Sequence, residues 1–122
     1  MSISNYAEVK LLDHVTGRAS FTMPTNVYVQ LHTGDAGEAG TSNAAAETTR
    51  KQVSWAAASS GSIASSATLE WTNVSTTETY SHWSMWDTIT AGNCLWTGAL
   101  SASAAVTAGD TFQITTLTLT LD

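Results

Sequence analysis

At 122 residues the chain has the length of one ordinary domain, 1–122, and can bury roughly two-thirds of its unfolded surface, which leaves no room for a second core. A hydrophobic content of 43 %, five Trp included, excludes a disordered polar tail, and a net charge of −6 with four scattered basic residues (Lys10, Arg18, Arg50, Lys51) excludes the clustered cations that nucleic acid requires. Charged residues make up only 11 %, with Thr, Ser and Ala in their place, so the surface loses little side-chain entropy when a partner orders it.

The opening MSISNYAEVK has no basic segment followed by an apolar run, and no stretch approaches the ~18 apolar residues of a membrane span. A soluble chain made in the cytoplasm is expected, with no membrane contact. Residues 5–16 are predicted as the one α-helix, because Asn5 and Glu8 have the spacing of a capping box and Gly17 follows as a stop. Tyr6, Val9, Leu12 and Val15 share one face, which Leu11 widens. That stripe docks either on the chain's own sheet or on a neighbouring subunit.

Beyond Pro24, Val27, Val29 and Leu31 alternate with Tyr28, Gln30 and His32, the two-residue period of a half-buried strand. The loop TGDAGEAGTSN, residues 33–43, is longer than a hairpin connection and is expected to bind something or to move. Shorter strands are predicted over residues 52–56, 67–72, 80–87 and 94–98, separated by SSGS, NVSTTET and Ala91-Gly92-Asn93. A TAGD turn at 107–110 precedes the last strand. There Phe112 and Ile114 have one parity and Leu117, Leu119 and Leu121 the other, which demands a bulge or break near Thr115 and Thr116. Strand, turn and strand at regular spacing with one N-terminal helix predict a mainly β chain, an antiparallel β-sandwich or jelly roll.

Chemistry has little to draw on. His14, His32 and His82 are the only imidazoles, no G-x-S-x-G elbow is present, and neither an H-E-x-x-H motif nor a second Cys accompanies Cys94. Cys94 reads as a buried thiol. Asp35 and Glu38 near His32 do not have the spacing of a calcium loop and read as a solvated acidic turn. No catalytic residue, metal ligand or cofactor is therefore expected. Trp55, Trp71, Trp83, Trp86 and Trp96 raise one alternative, a carbohydrate-binding module stacking sugars on exposed indoles. Core packing competes with it, since Trp83 and Trp86 fall on opposite faces of one strand.

The succession SNYAEVKLLDHVTG, YVQLHTGDAGEAGT, GNCLWTGAL and VTAGDTFQITTLTLTLD resembles a family of small virion proteins of tailed bacteriophages, whose members are often labelled tail-fibre or structural proteins. The resemblance covers nearly the whole chain. It departs at NAAAETTRKQV, where relatives have a Gly-rich aromatic stretch, and at Thr115-Thr116, where they have a longer loop. It implies a non-enzymatic structural protein located in the virion, with other virion proteins as partners, either the major capsid protein or a tail component. Small size without coiled-coil heptads favours a capsid decoration, cement or head-knob protein, with a tail or tail-fibre accessory as the second reading. A homo-oligomer, preferably a trimer, is expected, with Tyr6, Leu11, Leu12, His32, Asp35 and Glu38 as its candidate contact residues.

Overall fold

The structure, a computed structural model, describes residues 2–121. Nine strands and one helix follow each other as β1 (Ser2–Ile3), α1 (Asn5–Val15), β2 (Tyr28–His32), β3 (Lys51–Gln52), β4 (Ser62–Ala64), β5 (Leu69–Trp71), β6 (Glu78–Trp86), β7 (Cys94–Val106), β8 (Phe112–Ile114) and β9 (Thr118–Thr120). One layer is a five-stranded antiparallel sheet in the order β1-β7-β6-β2-β3. The other consists of two short antiparallel ladders, β4 with β9 and β5 with β8. Val29, Leu31 and Trp83 from the first layer share a core with Leu69, Trp71, Ile114, Leu117 and Leu119 from the second. The fold is thus mainly antiparallel β, sandwich-like, with one short N-terminal helix.

Alternation in β2 works as the sequence predicts on one side only. Val29 and Leu31 are wholly buried in the core, yet His32 on the opposite parity is wholly buried too. The cause is the loop 33–43, which closes on itself through Thr33 N–H to Asn43 O at 2.9 Å and returns to the sheet where Ala45 N–H meets Leu31 O at 3.1 Å. Folded over the outer face of the sheet, it covers His32, Ser84, Trp86 and Cys94. Gly40 lies so close there that an added Cβ would stand 2.5 Å from Cys94 Sγ and 3.0 Å from Trp86 Cζ2, and its φ of +71° favours glycine in any case. The loop is a second, small core rather than a free appendage.

Two bulges shape the long strands. Leu95 is extra between the pairs Met85↔Trp96 and Trp86↔Cys94, which puts Trp96 in the main core while Cys94, two residues earlier, faces the loop. Further along, four β7 residues, 100–103, stand opposite the single β6 residue Ser81.

Several predicted boundaries require correction. The helix is capped by Ser4 rather than by an Asn5 box: Ser4 Oγ accepts from Ala7 N–H at 3.2 Å and Asn5 is the first helical residue. Ser4 is tied down by its own N–H to Leu95 O, which anchors the start of α1 on β7. Gly17 ends the helix as expected, at a φ of +75°. The strand predicted over 52–56 is divided, because only Lys51 and Gln52 pair with β2, whereas Trp55 bridges Ser65 in the second layer. Val53, buried between, is the corner where the chain changes layers. β4 is a strand additional to those the sequence predicts; it returns from 55–59 through Ser60-Gly61, both at positive φ, the geometry of a tight hairpin turn. The parity break is present, since β8 ends at Ile114 and β9 begins at Thr118. Leu117 and Leu119 are buried, but Leu121 is half exposed and contributes no core.

Candidate interaction surface

The inward side of α1 is narrow. Ala7 is its only buried residue, while Tyr6 and Leu11 are half buried, Tyr6 meeting Phe21 edge to face at 6.3 Å. The stripe predicted from the sequence is divided: Tyr6 and Leu11 stay on the inward side, whereas Val9, Leu12 and Val15 are 61 %, 65 % and 73 % exposed. Small Ala7 and capped Ser4 fit the helix closely to β7, so the branched side chains at 9, 12 and 15 turn to water. Three apolar side chains within two turns of one helix form a contiguous patch, which single scattered hydrophobics do not. Around it the cations are engaged: Arg18 pairs with Asp13 at 3.0 Å and the Lys10 ammonium stands 5.8 Å from the Tyr6 ring centre.

Of the other candidate contact residues, Asp35 and Glu38 are exposed on the loop, as a contact would need. His32 is not: buried beneath that loop, it spends both ring nitrogens on Ser42 O and Ser84 Oγ, at 2.8 and 2.7 Å. A residue so enclosed acts on the surface only by holding the loop in place. Asp35 Oδ1 accepts from Gly37 N–H at 2.9 Å, a turn-stabilising bond. Among the described residues no group of three or more His, Cys, Asp and Glu side chains is placed to hold a metal ion.

The indoles do not form a sugar platform. Trp71, Trp83, Trp86 and Trp96 are buried and Trp55 is partly covered, so stacking on exposed Trp is corrected to core packing. Trp83 and Trp86 do lie on opposite faces of β6, one in the main core and the other under the loop with Arg50 stacked on it at 4.0 Å. Trp71 Nε1 donates to Thr49 O at 2.8 Å, which pins the approach to β3.

Two titratable groups of the interior, Cys94 and Tyr80, are held in their protonated forms near neutral pH. Burial pushes the Cys94 thiol up to about 11, so the buried sulfur stays protonated. Burial, with Glu78 and Glu47 nearby, pushes Tyr80 up to about 12. No described helix is long and apolar enough to cross a membrane.

Residues 2–122 match the protein family described as podophage GP4 fiber I protein gp80. None of the curated proteins compared with the chain matches it. A fibre family overturns the expectation of a capsid decoration, cement or head-knob protein and favours the tail-fibre alternative. Small size and a lack of heptads do not weigh against a fibre role, because a fibre is assembled from parts. The protein is a structural, non-enzymatic component of the phage virion, and it belongs to the podophage GP4 fiber I protein gp80 family.

Proposed function

We propose that this chain is a tail-fibre-associated structural part, held to a neighbouring tail protein through the outer face of α1. The observation that carries the reading is the exposed stripe of Val9, Leu12 and Val15 on a helix that needs none of them for its own packing. With only 11 % charged residues overall, the chain can seat that stripe in a permanent contact at low desolvation cost. Self-association accompanies it, with three copies favoured, because linked copies convert weak footholds into avidity.

Leu12→Ser in the phage tests the contact. The isolated variant should keep its melting temperature, since a substitution at an exposed site away from special features changes stability by about 0.5 kcal/mol or less. Virions should carry much less of it than of the wild-type protein. Full incorporation would overturn the assignment of this face, as would a large stability loss in the isolated chain.

A further inference from the structure

Residues 34–42 of the loop bond mainly to themselves. Ser42 N–H donates to Ala36 O and Gly40 N–H to Gly37 O, both at 3.0 Å, and Gly37 N–H donates to Asp35 Oδ1 at 2.9 Å. Thr33 and Asn43 close the base, where Asn43 Nδ2 also donates to Asp35 O at 2.9 Å. Among the described residues, one hydrogen bond joins this unit to a strand, from His32 Nδ1 to Ser42 O at 2.8 Å. Beneath the unit Gly40 packs against Cys94 Sγ and Trp86 Cζ2, and both of those side chains are buried.

His32 is wholly enclosed under this unit. A proton added at Nε2 would have to donate to Ser84 Oγ, 2.7 Å away, which already accepts from Trp86 Nε1. The surrounding groups do not welcome the charge either. His82, its cross-strand partner on β6, and Arg50, stacked on Trp86, both oppose it. From β7 comes the Cys94 thiol, kept protonated by burial, while Tyr28 and Gln30 share the face of β2. Asp35 and Glu38 are the carboxylates of the loop, and both are exposed. Water is the remaining stabiliser of an imidazolium there. Lifting residues 34–42 admits it at the smallest structural cost, because one hydrogen bond and the packing of Ala36 and Gly40 hold them down.

We propose that residues 34–42 are an acid-opened cover: protonation of His32 lifts them as a unit about Thr33 and Asn43 while both β layers stay folded, uncovering Trp86 and Cys94. Closed, the cover denies the ring its second proton. Open, the ring meets water and takes one up near its ordinary value of 6.5. The opening constant is therefore level above 6.5 and rises as pH falls below it, by at most about tenfold per pH unit. Global unfolding is not required, because Val29, Leu31 and Trp83 belong to the core on the opposite face of the sheet. Acid thus presents an indole edge and a thiol that neutral pH keeps hidden.

Cys94 reports the opening. Its rate of conversion to a mixed disulfide by a dipyridyl disulfide, divided by the rate for the urea-unfolded chain at the same pH, measures the open fraction whatever the thiolate content. In the full chain this ratio should rise about tenfold between roughly pH 7.5 and 5.5. It should not change in urea below the unfolding transition, since lifting the cover exposes little surface. His32→Gln can still donate to Ser42 O and accept from Ser84 Oγ, and its ratio should be flat with pH, whereas His82→Gln should keep the rise. Gly40→Ala, which forces a Cβ against Cys94 Sγ, should raise the ratio at neutral pH with an unchanged circular dichroism spectrum. That variant and the wild-type curves decide the matter even if His32→Gln does not fold. A wild-type ratio that is flat with pH, or that climbs in urea as global unfolding does, overturns the inference. So does a rise that survives in His32→Gln or vanishes in His82→Gln, or a Cys94 still shielded in Gly40→Ala.

Discussion

His32 Nε2 and Ser84 Oγ are 2.7 Å apart in the interior, and this pair fixes which proton the ring carries. Ser42 O can only accept, so His32 Nδ1 donates to it at 2.8 Å and Nε2 must accept from the Ser84 hydroxyl. Ser84 Oγ in turn accepts from Trp86 Nε1 at 2.7 Å. A second ring proton would give that oxygen two N–H donors and leave its own hydrogen without an acceptor. The network therefore holds the imidazole neutral.

A pH dependence follows with a definite sign. Burial pushes His32 below its ordinary value of 6.5, the Ser42 carbonyl opposes the shift, and His82 and Arg50 add to it. The unfolded chain takes up a proton near 6.5 that the folded chain refuses, so stability is level above 6.5 and falls as pH drops from there toward the lower folded value. Urea unfolding at a series of pH values should show that decline. His32→Gln should be less stable at neutral pH but flat across roughly pH 6.5 to 5, above the carboxylate range. An equal slope in both proteins would assign the decline to other groups.

Arg50 is the second clasp on the outer face. Its guanidinium is 4.0 Å from the Trp86 ring centre, with Nε donating to Gln30 Oε1 at 3.0 Å and Nη1 to Thr88 O and Ala91 O at 2.9 and 2.7 Å. It joins β2, the β6–β7 turn and the Trp86 indole. Arg50→Ala should cost about 1–3 kcal/mol, read by chemical denaturation, from the lost stacking and charge-assisted bonds. Lys cannot reproduce the planar fork, so Arg50→Lys should recover less than half of the loss. Full recovery by Lys would show that charge alone matters there.

The parity switch in the last segment gives a paired test. Leu119 is buried opposite Ile63, and Leu121, two residues on, is half exposed. An unpaired carboxylate in the core costs several kcal/mol, comparable to the whole stability of a domain of about this size, so Leu119→Asp should abolish folding. Leu121→Asp should leave a folded chain by circular dichroism. Similar behaviour of the two variants would contradict the register of β9.

Much of this framework was legible in the sequence because it rests on local periodicity. Val29 and Leu31, the Ala91-Gly92 turn and the opposed parities of Ile114 and Leu117 each follow from spacing along one segment. What escaped depends on contacts distant in sequence. His32 is interior because a loop folds back over it, and Val9, Leu12 and Val15 are exposed because Ala7 and Ser4 take the contact with β7. No spacing distinguishes a stripe that faces its own sheet from one that faces away. The arch at 100–103 was equally silent, since Ala and Ser are compatible with strand and loop alike.

The central claim is that this is a tail-fibre part and not a shell protein, and copy number tests it most directly. A tail carries its parts in small multiples set by cyclic symmetry, whereas a shell decoration protein follows the far larger number of capsid subunits. Quantifying the 12.8 kDa protein against the major capsid protein in purified virions should give a few copies to some tens per particle. Hundreds of copies, in fixed proportion to the capsid subunit, would contradict the account.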